Sequence, residues 1–105
     1  MLIVLGSVIA RSDTFDEIQR FAREHVDRSR LEPGCLSHAV LADLEDPMRL
    51  VFVERWTDWV TLGAHFQVPA SIAFAQRLNQ LSAAPPEMQV YEAALSAPPR
   101  VAASR

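Results

Sequence analysis

His65, Glu54 and His38 are the side chains of this 105-residue sequence best suited to moving a proton. An imidazole exchanges its proton near neutral pH, so it can take one from a substrate and return it later. His65 follows Leu62 and precedes Phe66, which turns it toward the apolar side of a short helix. Glu54 alternates with Phe52 and Trp56, so in a strand the three share one face and the carboxylate stands at the margin of an aromatic cavity. Burial alone would raise its pKa, whereas a nearby Arg or His would keep it ionised. The sharpest pairing is His65 as base, oriented by Glu54. The competing readings are a hydrogen-bonded histidine at a helix end and a carboxylate whose ion pair only fixes its strand.

His38 has the parity of Leu36 and Val40, with Cys35, Ser37 and Ala39 on the other face. Beneath the helices it would line the cavity and bind a substrate hydroxyl; on the opposite face it would be interface polarity. Phe52, Trp56, Phe66, Phe74 and Tyr91 are candidate substrate contacts, with simple core packing as the alternative. His25 reads as a helix-to-sheet packing residue without a role. No two histidines have the spacing of a metal-binding pair on one element, so no metal site is predicted. Nucleophile elbows and Gly-rich phosphate loops are also missing from the sequence, whose glycines are Gly6, Gly34 and Gly63.

The elements that must position these residues follow from pattern. Leu2 to Ile9 is apolar on both parities, as in a central strand covered on both faces. Ser12, Asp13 or Thr14 can cap a helix, with Thr14 and Glu17 at capping-box spacing. Phe15, Ile18, Phe21, Ala22, His25, Val26 and Ser29 make its inner face, and the helix is predicted to run to about Leu31. Pro33 and Gly34 turn the chain into a strand over Cys35 to Ala42, and the acidic turn Asp43 to Pro47 leads to a second strand, Arg49 to Trp56. Thr57 or Asp58 caps a short helix through Phe66, Pro69 opens another that carries Phe74, Leu78 and Leu81 inward, and Pro85-Pro86 stops it. The last strand is predicted over Glu87 to Leu95. This order is the α+β, ferredoxin-like βαββαβ plan with an antiparallel sheet. One domain spans residues 1–96, and 97–105 reads as a flexible tail.

Composition narrows the class. Half the residues are hydrophobic, 22% are charged and the net charge is -3, which describes an ordinary globular protein and gives no basic stripe for nucleic acid. The apolar opening run is too short to span a bilayer, so no membrane partner is expected. Cys35 is the single cysteine, which fits a reducing cytoplasm. The helices can cover only one sheet face, although Val51 and Val53 make the other face apolar too. A homodimer packed sheet to sheet is therefore expected.

The stretches "SRLEPGCLSH", "DLEDP", "FVERWTDWVTLGAHF" and "VPASIAF", in this order and spacing, resemble the antibiotic biosynthesis monooxygenase domain family, and the resemblance reaches from the first strand to Leu95. It implies a dimeric α/β barrel of ferredoxin-like subunits. It also implies an oxygenase that needs no metal or flavin cofactor and acts with O2 on quinols, anthrones and similar small aromatics. Family members often carry an aromatic residue where His38 stands, which favours a pocket wall there. They often have a second histidine where this chain has Ala70, which argues against a two-histidine mechanism. Heme-degrading relatives use an asparagine, a tryptophan and a histidine at places that correspond by spacing to Ser7, His65 and about Ala75, which argues against heme degradation. The function expected is a cofactor-independent monooxygenase of a quinol, anthrone or polyphenol. The alternatives are a non-oxidative isomerase of a small keto compound, which would run without oxygen, and a small-molecule-binding dimer without catalysis.

Overall fold

The computed structural model describes residues 1–100. Among them the chain forms four strands and three helices, in the order β1 Leu2–Ile9, α1 Phe15–Ser29, β2 Cys35–Ala42, β3 Arg49–Trp56, α2 Trp59–Gln67, α3 Pro69–Leu81 and β4 Glu87–Glu92. The strands make one antiparallel sheet in the order β2-β3-β1-β4. This is the ferredoxin-like α+β fold, with its helices on one face of the sheet.

Alternation along the strands separates the two faces. Leu2, Val4 and Val8 of β1 and Leu50, Phe52 and Trp56 of β3 point inward and are buried. Ile18, Ala22 and Val26 of α1 and Leu78 of α3 close one core over Val8, Leu50 and Phe52, and Leu62 of α2 closes a second over Val4 and Trp56. Burying each such aliphatic side chain contributes roughly 1.5–3 kcal/mol. The opposite parity puts Leu5, Ile9, Leu41, Val51 and Val53 on the other face, where Leu5 remains 38% and Leu41 51% exposed.

Helix ends depart from the expected ones for local reasons. Thr14 does not close a capping box: its hydroxyl donates to the Leu81 carbonyl at 2.7 Å, tying the start of α1 to the end of α3, while Glu17 pairs with Arg77 at 2.8 Å. α1 stops at Ser29, two residues short, because the Ser29 hydroxyl donates back to the His25 carbonyl at 2.6 Å and the amides of Leu31 and Glu32 make i to i−3 bonds. Asp58 caps α2 by accepting from Thr61 N–H at 2.9 Å, and Pro69 opens α3. β4 ends at Glu92 rather than Leu95 because Glu92 already pairs with Leu2, the first residue of its neighbouring strand. Residues 93–100 carry no helix or strand, and the remainder of the expected tail, 101–105, lies outside the described residues.

Candidate active site

The polar part of the core begins on β3, where Glu54 interrupts the buried run Leu50, Phe52, Trp56. Its register partner on β2 is His38. A β-bulge at the start of β2 corrects the expected facing of that strand. Cys35 pairs with Trp56 and Ser37 with Arg55, so Leu36 is the extra residue and is pushed outward to 48% exposure. Cys35, His38 and Val40 therefore share the inner face, and Leu36 does not join them.

Glu54 is 6% exposed and accepts from the indole Nε1–H of Trp56 at 3.0 Å. His38 Nε2 lies 3.2 Å from the same oxygen, off the line of the ring hydrogen, so this contact is electrostatic rather than a good hydrogen bond. Burial alone would raise the Glu54 pKa, but the adjacent His38 ring, the Trp56 N–H and the more distant His65 outweigh it and hold the carboxyl below the usual glutamate range.

His65 arrives from α2 and is 3% exposed. Its partner is not Glu54, as the sequence suggests, but Glu32, whose Oε1 lies 2.9 Å from Nδ1. A carboxylate only accepts, so Nδ1 carries the hydrogen and the Nε2 lone pair is left free. Glu32 reaches this place because Gly34, at φ +80°, turns the chain sharply between α1 and β2. A side chain at position 34 would also run into Thr61. The turn is fastened to the end of β3 by Thr57 N–H donating to the Gly34 carbonyl at 2.9 Å.

His25 completes the group from α1. Its ring stacks on Phe74 at 4.1 Å between centroids and lies 5.3 Å from His38 and 5.2 Å from His65. Burial, with the neighbouring His38 and His65 rings, lowers its pKa to about 3, so it stays neutral at physiological pH.

A cavity of about 230 Å³ opens between the sheet and the helices over this group, bounded by Phe52, Glu54, His65, Phe66, Phe74 and Leu78. Gly6 of β1 also lines it, leaving room that a side chain on the inner face would take. Of the anticipated site residues, Phe52, Glu54, His65, Phe66 and Phe74 meet at this wall. His38 lies behind Glu54, and Trp56, fully buried, packs its ring 4.6 Å from that of His65; neither lines the cavity. Tyr91 is misplaced by the sequence reading. It pairs with Ile3 on the opposite sheet face and donates to Gln89 at 2.8 Å, away from the cavity. His25, expected only to pack, both packs and lines the cavity. Glu32 escaped notice because a contact across 33 residues leaves no local signal.

Residues 1–77 match the antibiotic biosynthesis monooxygenase family. The chain belongs to this family. It is 29% identical over 93 residues to the uncharacterized protein sll1783 of Synechocystis sp., a match that takes in 89% of this chain and 63% of the relative. Thus the chain spans less than two thirds of that relative's length. A crystal structure of an antibiotic biosynthesis monooxygenase superposes with a TM-score of 0.83 at 25% identity, covering 90% of this chain and all of the other. Rv0793 from Mycobacterium tuberculosis gives a TM-score of 0.85 at 20% identity over 92% of this chain and 98% of its own. PA3566 from Pseudomonas aeruginosa gives 0.79 at 23% identity over 90% and 94% respectively. The last two share the fold. Among the described residues no helix is long and apolar enough to cross a membrane.

Proposed function

We propose that this family member is a cofactor-independent monooxygenase that oxidises a small electron-rich aromatic, such as a quinol, anthrone or polyphenol, with O2. The observation that carries the reading is His65 at the wall of an apolar cavity with Nδ1 held by Glu32 and Nε2 free. Nε2 takes the proton of an acidic hydroxyl or of the methylene of an anthrone, and Glu32 stabilises the imidazolium that forms. Phe52, Phe66 and Phe74 hold the ring of the substrate and keep water from the resulting anion. Dioxygen reacts slowly with closed-shell molecules, but an electron-rich anion can itself pass an electron to it. For an anthrone, one oxygen atom stays as the new carbonyl and the other leaves with the two methylene hydrogens as water. Glu54 places a buried negative charge at the cavity wall, and His38 acts from behind it rather than touching substrate.

The working unit in this reading is a homodimer, because the face with Leu5, Ile9, Leu41, Val51 and Val53 has no cover among the described residues of one chain. The single free cysteine, Cys35, suits a reducing cytoplasm.

The test is oxygen uptake with a panel of reduced quinols and anthrones, corrected for autoxidation. Uptake above the blank that falls at least about a hundredfold in His65→Ala supports the reading. Turnover that continues unchanged without oxygen would replace it with isomerase chemistry.

A further inference from the structure

The three histidines lie on three different elements, α1, β2 and α2, yet one ring nitrogen from each lies within 4.8 Å of the other two. All are buried: His25 is 5%, His38 2% and His65 3% exposed. Among the described residues, Nδ1 of His38 and Nδ1 of His25 have no hydrogen-bond partner, and Nε2 of His38 has only its contact with Glu54. Leaving such groups unpaired in a core costs on the order of 1–3 kcal/mol each. Packing alone would be served better by an apolar side chain at each place.

We propose that His25, His38 and His65 form a three-nitrogen site for one divalent first-row transition-metal ion, with Zn2+ as the simplest occupant. Imidazoles bound at roughly 2.0–2.1 Å on a tetrahedral ion hold their ring centroids about 5 Å apart. The observed separations are 5.3, 5.2 and 5.8 Å. The nitrogens themselves, within 4.8 Å of one another, need to close to about 3.4 Å when the ion binds. The donor set selects the metal: three neutral nitrogens suit zinc, copper, iron or nickel and reject magnesium and calcium, which demand oxygen.

Carboxylates stand where such a site uses them. Glu32 grips the Nδ1 of His65, fixing the tautomer that presents Nε2, as outer partners of metal-bound histidines do. Ser29 Oγ lies 3.5 Å from Nε2 of His25, which leaves the unpaired Nδ1 of that ring as donor. Glu54, 3.2 Å from His38, is a buried negative charge beside the ring cluster. Together Glu32 and Glu54 offset the charge of a divalent ion. Three protein ligands leave a fourth position, and His25 and His65 both line the cavity from which a small ligand would reach it. The inference stands apart from the oxygenase reading. An ion on Nε2 of His65 takes the lone pair that accepts a proton in that reading, so the metal-bound and base-active forms exclude each other.

The test uses tag-free protein stripped with a chelator. Calorimetry with Zn2+ is expected to give one equivalent per chain at micromolar or tighter Kd, and Co2+ to give the visible absorption of a four-coordinate nitrogen site. His25→Ala should weaken binding more than about tenfold and Glu32→Gln about ten- to hundredfold, whereas Cys35→Ser should change nothing. Because His38→Ala risks unfolding, imidazole 15N signals of the wild-type protein provide a second readout, and all three rings should shift together on adding one equivalent of Zn2+. Absence of binding to folded protein overturns the proposal, as does binding that leaves the three rings unmoved or that survives His25→Ala. Oxygen uptake by the stripped protein is read separately, so either idea can fail alone. If both hold, Zn2+ suppresses uptake and chelator restores it.

Discussion

Glu32 Oε1 and His65 Nδ1 meet at 2.9 Å although 33 positions separate them in the chain. This contact, rather than one to Glu54, sets which nitrogen of His65 is free. In Glu32→Gln the amide oxygen can still accept the hydrogen, but the charge that stabilises an imidazolium is gone. The expected result is a fall in kcat of about tenfold or more with KM nearly unchanged. Steady-state oxygen uptake separates the two parameters. Loss confined to KM would make Glu32 a substrate contact instead.

Glu54 is expected to matter to stability before it matters to turnover. Glu54→Ala leaves the Trp56 N–H unpaired and removes the carboxylate beside His38 inside the core, which should cost about 3 kcal/mol. Glu54→Gln keeps an acceptor for Trp56 and should cost less than half of that. Urea unfolding of the two variants tests the order, and equal losses would show that the charge rather than the acceptor is what the site needs.

Gly34 lies at the turn that delivers Glu32. A methyl group there meets both the left-handed backbone and the side chain of Thr61. Gly34→Ala is expected to destabilise by about 2 kcal/mol or more. It should also lower kcat, since Glu32 sits two residues away. Gly63 has nothing within 4 Å of an added Cβ, so Gly63→Ala is the control and should be neutral or mildly stabilising by urea denaturation.

The strand and helix order was legible because each element obeys one clear period: alternation in Arg49 to Trp56, and a 3.6-residue apolar face from Phe15 to Ser29. Phe52, Glu54, His65, Phe66 and Phe74 could be placed together for the same reason. What local pattern could not carry was pairing between elements. The bulge at Leu36 changes which β2 residues face inward without altering the composition of the strand. Tyr91 has a parity that means nothing until β4 is registered on β1. The three histidines, each unremarkable on its own element, become neighbours only once α1, β2 and α2 are assembled, which is why spacing along the sequence gave no hint of a shared site.

The β2–β3 turn carries a pH dependence. Asp43 accepts from Glu45 N–H at 2.8 Å and from Arg49 at 3.0 Å, and these two contacts hold its carboxyl below the ordinary range. A carboxyl with a lowered folded-state pKa contributes its stability fully above the unfolded value of 3.8. The contribution is lost as pH falls through the folded value. Asp43→Asn should therefore flatten the acid side of the stability curve and leave its slope near neutral pH unchanged. A curve parallel to wild type down to the lowest pH would show that the turn gains nothing from the charge.

The sheet face left uncovered among the described residues is expected to set the assembly. Leu5 pairs with Val53 at the centre of the sheet, and Ile9, Leu41 and Val51 extend the same apolar surface. A stable interface of standard size buries roughly 1,200–2,000 Å² in total, and two such faces packed together are expected to bury an area of that order. Leu5→Arg puts a charge at the middle of that surface while leaving the helix-covered core alone, so circular dichroism should be preserved. Sedimentation of the wild-type chain at micromolar concentration should then give twice the chain mass, and Leu5→Arg the single mass. A wild-type chain that sediments as a monomer would remove the homodimer from the proposed function and leave this face to another partner.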